Sequence, residues 1–210
     1  MTVIWRSCRK NLETAAERLS NERKAQALQL EKAIETELKD LNFAEVQFQI
    51  HFDKLADYTA DGVDDVEFLI SMNPGQSVKP LAEVASGGEL SRTMLAIKTV
   101  MADRDEIETL IFDEIDVGIS GRTAQKVSEK MAVIGKNHQV ICITHLAQIA
   151  AQADQHYLIE KTVDGGVTRT EIRKLSEEES IDELARILGG AEITETVRMS
   201  AREMKSMVKS

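Results

Sequence analysis

Apolar and small residues recur every three or four positions through the first long segment of the chain, from Leu12 to Leu41. This spacing places them on one stripe of an α-helix with about 3.6 residues per turn. A helix of about 30 residues is about 45 Å long, which exceeds the usual globular helix. The pattern predicts either the end of a coiled-coil arm or a long surface helix that packs on its own domain. Residues 1–8 do not continue the stripe, as expected if a longer protein has been cut there.

Four later segments have the pattern of β-strands, in two pairs. Residues 46–52 alternate apolar and polar side chains, and residues 66–72 give a second strand after the turn signal Asp61-Gly62. We expect these two strands to pair as a hairpin with a long loop. The other pair consists of residues 156–161 and 167–174, with a turn at residues 164–166.

Between these pairs, two short segments are apolar throughout, residues 109–112 and residues 140–143. A helical pattern over residues 123–134 separates them, and two apolar strands joined by a helix are typical of a buried parallel βαβ unit. The sequence therefore predicts an α/β fold. Three more helices are predicted: one that begins at Ser86, one that opens with a capping box at Ser176 and stops at Gly189-Gly190, and one over residues 192–208.

The composition narrows the class of protein. Of the 210 residues, 26 are Lys or Arg and 36 are Asp or Glu, so the formal charge is −10. This balance argues against a surface built mainly for nucleic acid, although it allows a local basic face. No apolar run approaches the ~20 residues that span a bilayer, and the first residues do not form a signal peptide. The only cysteines are Cys8 and Cys142, which excludes a disulfide scaffold and suits the reducing cytoplasm.

The segment Ser86-Gly87-Gly88-Glu89 opens the helix that precedes the βαβ unit. Its simplest interpretation is a helix start, with Ser86 as the N-cap and Glu89 completing a capping box. A cap does not need two glycines, however, and each glycine in the first turn costs up to ~1 kcal/mol of helix propensity. Paired glycines let a ligand approach the bare N–H groups at the positive end of the helix dipole, where phosphate binds well. Capping and phosphate binding are compatible with each other.

Two carboxylates, Asp113 and Glu114, directly follow the first apolar strand. Open α/β sheets bind their ligands at the carboxyl ends of the strands. One carboxylate there can hold Mg²⁺, usually through water, and its neighbour can orient or deprotonate an attacking water. The alternative is an ordinary strand end at which acidic residues meet solvent.

One histidine, His145, follows the second apolar strand, so we expect it at the same edge of the sheet as Glu114. A histidine placed there can contact a phosphate or the attacking water. The other histidines lie in strand-like or pre-strand contexts and carry no such expectation. The spacing of His and Cys does not suggest zinc, and the sequence has no G-x-S-x-G motif for acyl transfer.

Taken together, the three motifs resemble the second lobe of an ABC-type ATPase head, in the order signature motif, Walker B and switch histidine. The amino-acid sequence in three segments is similar to that of SMC-like ATPases of bacterial DNA double-strand-break repair. These segments are residues 86–92, 112–121 and 144–150. The resemblance implies that residues 43–210 form the C-terminal lobe of the head, with a parallel βαβ core and a β-hairpin. It also implies that residues 1–42 are the end of a coiled-coil arm.

The resemblance gives the signature motif a role between two subunits. Ser86, Gly87 and Gly88 would contact the γ-phosphate of an ATP bound to a second copy of the head. Glu89 belongs to the same nucleotide-binding motif. The residue directly before Ser86 departs from the family pattern, because Ala85 stands where many ABC proteins have Leu.

The resemblance also gives roles to the residues after the two apolar strands. Asp113 would support Mg²⁺, and Glu114 would be the general base for water. His145 would contact the γ-phosphate in its own subunit's site. The D-loop at the dimer interface would run from Asp116 to Ser120, and Ser120 stands where many ABC proteins have Asp.

A Walker A motif, G-x-x-x-x-G-K-[ST], does not occur in this sequence, because the Gly135-Lys136 pair precedes Asn137. The resemblance therefore implies that ATP and Mg²⁺ bind tightly only together with an N-terminal lobe that carries Walker A. It implies two further partners, a second head in an ATP-dependent homodimer and DNA through the full-length protein, and no membrane. We expect ATPase activity from the full-length protein in the bacterial cytoplasm, on the nucleoid, and none from this chain alone.

Two other functions remain open. One is a Toprim-like metal-dependent nuclease or phosphotransferase, although the acidic strand end lacks D-x-D spacing. The other is a non-catalytic dimerisation module.

The last predicted helix has four basic residues on one face. This face either contacts DNA phosphates or is an ordinary solvated face. These basic residues are Arg198, Arg202, Lys205 and Lys209.

Overall fold

The computed structural model describes residues 2–208, except residues 74, 85, 105, 165, 166 and 191. Its contacts divide the chain into two compact units, Met1–Asp105 and Glu106–Ser210. The boundary that the sequence suggested, after residue 42 where the arm would pass into the lobe, stays a prediction. Within the described ranges, none of the helices has the length and apolar character needed to cross a membrane. Ala85, Lys209 and the glycines of the turn at residues 164–166 fall outside the described residues.

The first unit begins with a helix that is longer than the sequence stripe, α1 (Thr2–Asp40). The helix ends in a Schellman motif, in which the N–H of Phe43 donates to the carbonyl of Leu38 at 3.1 Å and the N–H of Asn42 donates to that of Lys39 at 3.2 Å. Asn42 has a φ of 73°, a left-handed conformation in which asparagine is enriched. Leu38 and Phe43 are both buried, so hydrophobic packing also fixes the end of the helix.

A three-stranded antiparallel sheet follows, in the order β1 (Gln47–Thr59), β2 (Gly62–Ser71) and β3 (Lys79–Pro80). The predicted hairpin is confirmed, but the predicted long loop is wrong, because the strands pair again at Thr59 and Gly62 after a register shift between Lys54 and Thr59. Gly62 has a φ of 103°, which residues with a side chain rarely adopt, and this allows the tight turn between the strands.

Two glutamates of α1 cover the outer edge of β1. Glu35 accepts the backbone N–H of Phe48 at 3.0 Å, and Glu31 accepts that of Ile50 at 2.7 Å. The spacing of the two glutamates along the helix matches the spacing of the two N–H groups along the strand. Four residues of helix and two residues of strand both advance about 6–7 Å. The two carboxylates therefore satisfy N–H groups at an edge that would otherwise be open to another strand.

Burial along α1 changes from one end to the other. Trp5 and Leu12 are 64% and 46% exposed, whereas Ile34 and Leu38 are both 0% exposed. The second half is therefore a helix that packs on its own domain, as one of the two interpretations held. The first half presents apolar side chains to solvent, as a coiled-coil arm requires, and the arm stays a prediction.

The predicted helix after Ser86 is confirmed as α2 (Gly87–Met101) and completes the first unit by packing against α1. Leu95 is completely buried on this helix. Arg92 is buried as well, with its guanidinium carbon 5.4 Å from the ring centre of Phe43. Helix α2 is therefore anchored on Phe43, three residues after the end of α1.

The second unit contains the predicted parallel βαβ unit. Strands β4 (Thr109–Phe112) and β5 (Gln139–Cys142) pair in parallel, with Thr109 opposite Gln139, and α3 (Gly121–Ile134) connects them. Thr109 and Gln139 also bond through their side chains at 3.1 Å. The structure confirms the order of strand, helix and strand that the apolar segments predicted.

One face of this sheet is exposed, although both strands have apolar sequences. On the covered face, Leu110 and Phe112 are buried. On the other face, Ile111, Ile141 and Ile143 are 66%, 43% and 48% exposed. The predicted parallel unit is therefore buried on one face, and its other face is exposed in this chain.

The rest of the second unit packs around a small aliphatic core that includes Ile181, Leu184 and Ala201. The predicted capping box is confirmed, since Ser176 and Glu179 exchange both of its hydrogen bonds. The short helix α4 was not predicted, whereas the hairpin and the last two helices were. These elements are α4 (Ala147–Ala150), β6 (Tyr157–Asp164), β7 (Val167–Lys174), α5 (Glu177–Gly189) and α6 (Glu195–Val208).

The basic face of α6 is turned towards its own unit. Arg198 lies 2.8 Å from Asp182, and Arg202 lies 3.3 Å from Glu178, both on α5. Lys205 donates a hydrogen bond of 2.9 Å to a backbone carbonyl shortly after α4. Because these charges hold α6 in place, they argue against a free DNA-binding face.

Candidate functional site

The residues that follow β4 form a turn with two outward and two inward side chains. Asp113 and Glu114 are exposed, whereas Ile115 and Asp116 are only 0% and 3% exposed. Asp113 Oδ1 accepts the backbone N–H of Glu114 at 2.8 Å. The inward pair therefore anchors the turn, and the outward pair presents its carboxylates at the carboxyl end of the strand.

Glu114 has an unusual backbone conformation. Its φ is 57°, in the left-handed region that costs roughly 1–2 kcal/mol for a residue with a side chain. The turn maintains this conformation, since the Glu114 carbonyl accepts the N–H of Val117 at 3.0 Å. Residues held in such conformations cluster at active sites, which supports a functional role for Glu114.

The buried carboxylate of Asp116 connects this turn to the end of β5. Its Oδ2 accepts hydrogen bonds from Thr144 Oγ1 at 2.5 Å and from the backbone N–H of His145 at 2.8 Å. The same oxygen lies 3.0 Å from Nδ1 of the His145 ring. Thr144 Oγ1 in turn accepts the N–H of Leu146 at 3.0 Å. One carboxylate thus holds both the backbone and the ring of the predicted switch histidine.

The pKa of the Cys142 thiol, at the end of β5, is affected by burial and by the negative charges of this turn. Burial raises the pKa of Cys142 to about 12, and the negative charges of Asp116 and Asp113 add to the rise. A neutral thiol is therefore the stable form of Cys142, which makes it a packing residue and not a nucleophile.

The predicted D-loop leads into helix α3. Ser120 is the exposed N-cap residue of this helix, and its side chain makes no capping hydrogen bond. Gly118, two residues earlier, has a φ of 76°, which glycine adopts without strain. The loop therefore presents Ser120 outwards, whereas Asp116 at its start points inwards and is not exposed as a D-loop contact would require.

The signature residues lie in the first unit, at the start of α2. Ser86 is the N-cap, and its Oγ accepts the N–H of Glu89 at 3.4 Å. Gly87 is exposed, whereas Gly88 is buried. The first N–H groups of a helix have no partners within the helix, so this end can receive an anion at the exposed glycine.

The structure brings some of the predicted residues together. Asp113 and Glu114 contact each other, and Asp116 contacts His145, at the ends of two strands that pair in parallel. Sequence reasoning missed the role of Thr144 and the burial of Asp116. The sequence signal for the role of Thr144 was its hydroxyl directly before His145. That hydroxyl could be interpreted only after its partner, Asp116, was known.

The residues that would hold a metal ion fit Mg²⁺, provided that most ligands of the ion come from its bound substrate. Across the part of the chain that the structure describes, no three His, Cys, Asp or Glu side chains are grouped as a metal cage. The exposed carboxylate of Asp113 supplies hard oxygen ligands, which Mg²⁺ prefers and often meets through water. One such side chain suits an ion whose other ligands are phosphate oxygens and water.

Solved structures identify the class of fold. The Smc head domain with a coiled coil and joint from Pyrococcus yayanosii matches with a TM-score of 0.53 at 23% identity, over 78% of this chain and 29% of that chain. The Smc head domain with an extended coiled coil from Pyrococcus furiosus, bound to the C-terminal domain of ScpA, matches with a TM-score of 0.51 at 22% identity, over 80% and 39%. The chain has the fold of an SMC ATPase head.

Within that class, the particular protein that the chain resembles is the DNA repair protein RecN. The RecN of Halalkalibacterium halodurans is 44% identical over 206 residues, which is 96% of this chain and 36% of that protein. The RecN of Vibrio cholerae is 42% identical over 191 residues, which is 90% of this chain and 34% of that protein. The chain thus spans about a third of the length of the curated relatives that it matches. No protein-family model matches it.

Proposed function

We propose that the chain is the C-terminal lobe of the ATPase head of a RecN-type protein that acts in DNA double-strand-break repair and recombination. The observation that carries this proposal is the edge of the parallel sheet formed by β4 and β5. There, Asp113 and Glu114 directly follow β4. His145 follows the neighbouring strand β5, and its ring lies next to the carboxylate of Asp116. Such an arrangement suits hydrolysis of a phosphate bond, because it places carboxylates and an imidazole at the ligand-binding edge of an α/β sheet.

Each residue at this edge has a separate task in the proposed hydrolysis of ATP. Glu114 is the general base that takes a proton from the attacking water, and its exposed carboxylate is free to do so. Asp113 supports Mg²⁺, which supplies positive charge to the phosphates when it is bound. His145 contacts the γ-phosphate or the attacking water through its exposed ring.

The signature residues act on the nucleotide of a second copy of the head. Ser86, Gly87 and Gly88 receive the γ-phosphate at the N-terminus of α2, with Glu89 stabilising that turn through its backbone N–H. An anion at this helix end gains from the helix dipole as well as from hydrogen bonds. Heads of this kind would therefore join through bound ATP.

The N-terminal lobe of the same head is the nearest partner. It would supply Walker A, whose motif does not occur in this sequence, and a layer for the exposed face of the β4–β5 sheet. Ile111, Ile141 and Ile143 on that face offer the apolar surface that such a layer would bury. Tight binding of ATP and Mg²⁺ would then require both lobes.

DNA would be contacted through the full-length protein and not mainly through this chain. The chain carries a formal charge of −10, and the three described cations of α6 are engaged within its unit. A protein of this type works in the bacterial cytoplasm, on the nucleoid. A Toprim-like nuclease is less well supported, because Asp116 is buried on Thr144 and His145 instead of facing a metal site.

The proposal is tested by the substitution Glu114→Gln in the full-length protein. Removing a general base slows a reaction by typically 10²–10⁴-fold, so we expect a loss of that size in single-turnover hydrolysis of ATP. The side chain keeps its size and loses a negative charge beside the triphosphate, so ATP binding should survive. Heads joined through two ATP molecules should persist in the variant, since their release depends on hydrolysis.

The matched control is Glu106→Gln, which makes the same change at an exposed position in the same unit. It should hydrolyse ATP like the wild type. Unchanged hydrolysis by Glu114→Gln would remove this residue from the mechanism, and loss of ATP binding would make it a structural residue. Metal-dependent cleavage of DNA without ATP would instead favour the nuclease.

A further inference from the structure

We propose that Asp116 is a positioning residue that holds His145 in one orientation and one tautomer and joins it to the turn that carries Glu114. The inference rests on the function proposed above, but the contact itself belongs to this chain. It gives Asp116 a task within its own subunit and not at the interface between two heads.

The contrast in burial between the two residues supports this role. The side chain of His145 is 71% exposed, whereas that of Asp116 is 4% exposed. An exposed ring on a loop would normally sample several rotamers, because little packs against it. Here Nδ1 lies 3.0 Å from an oxygen of a buried carboxylate, and the hydrogen bond from the His145 N–H to the same oxygen fixes its backbone. The reactive end of the ring is therefore presented by a rigid support.

The chemistry of the contact also fixes where the proton of the ring lies. A lone pair on Nδ1 would face the carboxylate oxygen at 3.0 Å and be repelled by it, so the proton of the neutral ring is on Nδ1. The other nitrogen, Nε2, then presents its lone pair outwards. The outward Nε2 can therefore accept a hydrogen bond from a water molecule.

The same carboxylate connects two loops that are distant in sequence. Asp116 is two residues after Glu114, and Thr144 and His145 are 28 and 29 residues after Asp116. Because Ile115 between the two acids is fully buried, the turn cannot shift Glu114 without moving Asp116 as well. The turn that carries Glu114 and the loop that carries His145 thus share one support.

The contact is tested by ¹⁵N NMR of the histidine rings in the 210-residue chain at about pH 8. Wild-type His145 should be in the Nδ1–H form. Asp116→Ala should move it towards the Nε2–H form that free imidazole prefers, and Asp116→Asn should restore the Nδ1–H form because its amide oxygen still accepts. Asp154→Asn, an exposed aspartate of the same unit, should change nothing.

A second histidine reports whether the unit remains folded. The ring of His156 is 2.9 Å from Ser180 Oγ, and burial, followed by the charge of Lys205, lowers its pKa. Its signals should stay unchanged in each variant. If Asp116→Ala loses them, Asp116→Leu fills the volume without an acceptor and makes the same prediction. A His145 ring that has the same tautomer in wild type and in a folded Ala or Leu variant overturns the proposal.

Kinetics of the full-length protein separate this inference from the proposed function. Partners that orient metal-binding histidines are worth roughly 10–100-fold in activity, and by analogy we expect a loss of that order in kcat for Asp116→Ala with little change in KM for ATP. A wild-type protein without ATPase activity would refute the proposed function and leave the NMR result standing. A normal kcat in Asp116→Ala would refute the positioning role alone.

Discussion

The hydroxyl of Ser20 donates a hydrogen bond of 2.6 Å to Oδ1 of Asp64. This bond joins the middle of helix α1 to the hairpin, 44 residues later in the sequence. Arg23 strengthens the junction, because its Nη1 lies 3.1 Å from Asp64 Oδ2 and also donates to the carbonyl of Asp61 at 2.8 Å. The side chain of Asp64 is only 5% exposed, so its charge depends on these partners.

The substitution Asp64→Asn should lower the free energy of unfolding by about 1.5–3 kcal/mol, the usual size of a hydrogen bond to a charged group. Denaturant titration of the 210-residue chain measures this change. Asp65→Asn is the matched control, because Asp65 is the exposed neighbour on the same strand. Equal stability of the two variants would show that the junction contributes nothing.

The same junction makes stability depend on pH. The hydrogen bond from Ser20 is the main influence that holds the pKa of Asp64 below its ordinary value of 3.8, with Arg23 adding to the effect against the opposing influence of burial. The junction therefore stabilises the fold above about pH 4, and this contribution is lost as the pH falls through the lowered pKa. Asp64→Asn should remove that part of the acid dependence, which unfolding midpoints between pH 5 and pH 2 would measure.

The isolated chain should not hydrolyse ATP and should bind it weakly at best. Its sequence has no Walker A motif to grip the β- and γ-phosphates, and the Asp-Glu pair alone offers few ligands to a phosphate-bound Mg²⁺. Isothermal calorimetry with ATP and Mg²⁺ measures the affinity, with the full-length protein as the positive reference. Micromolar affinity for the chain alone would contradict the prediction.

Ser86→Arg should abolish ATP hydrolysis in the full-length dimer and leave ATP binding by each subunit nearly intact. A bulky cation at the N-cap would occupy the place where the phosphate of the other subunit arrives. Ser77→Arg, at an exposed serine of the same unit, is the control for the added charge. If the Ser86 variant loses ATP binding as a monomer, the motif acts within its own subunit or the variant is misfolded.

The two cysteines should differ strongly in reactivity. Cys8 is exposed, whereas the pKa of Cys142 is raised to about 12 by burial and by the nearby aspartates. At pH 8 roughly one Cys142 side chain in 10⁴ would be a thiolate, the form that reacts. Alkylation followed by mass spectrometry should therefore label Cys8 first, and both cysteines should react equally only after denaturation. Rapid labelling of native Cys142 would disprove the environment described for the end of β5.

Arg198→Gln and Arg202→Gln should weaken the packing of α6 and leave DNA binding unchanged. Each lost ion pair should cost up to about 1 kcal/mol of stability, since both pairs are partly exposed. A cation that binds a DNA phosphate would instead change the salt dependence of binding, by about one unit in the slope for each contact. DNA titrations of the full-length protein at several salt concentrations distinguish the two roles, and a reduced slope would reassign these residues to DNA.

Regular spacing made the helices and most strands predictable, because it reports which face of an element is buried. The extent of β1 was not predictable, since beyond Lys54 nearly every residue is exposed and the alternation of apolar and polar side chains disappears. The regular register also stops at Lys54, and the strands pair again only at Thr59 and Gly62. The burial of Asp116 was hidden for another reason. Its partners come from Thr144 and His145, and a local pattern cannot show a contact between loops so far apart in sequence.

The exposed isoleucines of the β4–β5 sheet have a consequence for unfolding. If a second lobe covers Ile111, Ile141 and Ile143, the hydrophobic layer between the lobes belongs to both, so neither lobe can lose its packing while the other keeps it. The complete head should then melt in one cooperative transition, with the same midpoint by calorimetry and circular dichroism. A substitution that leaves a cavity at Phe112 would then also lower the temperature at which the other lobe unfolds.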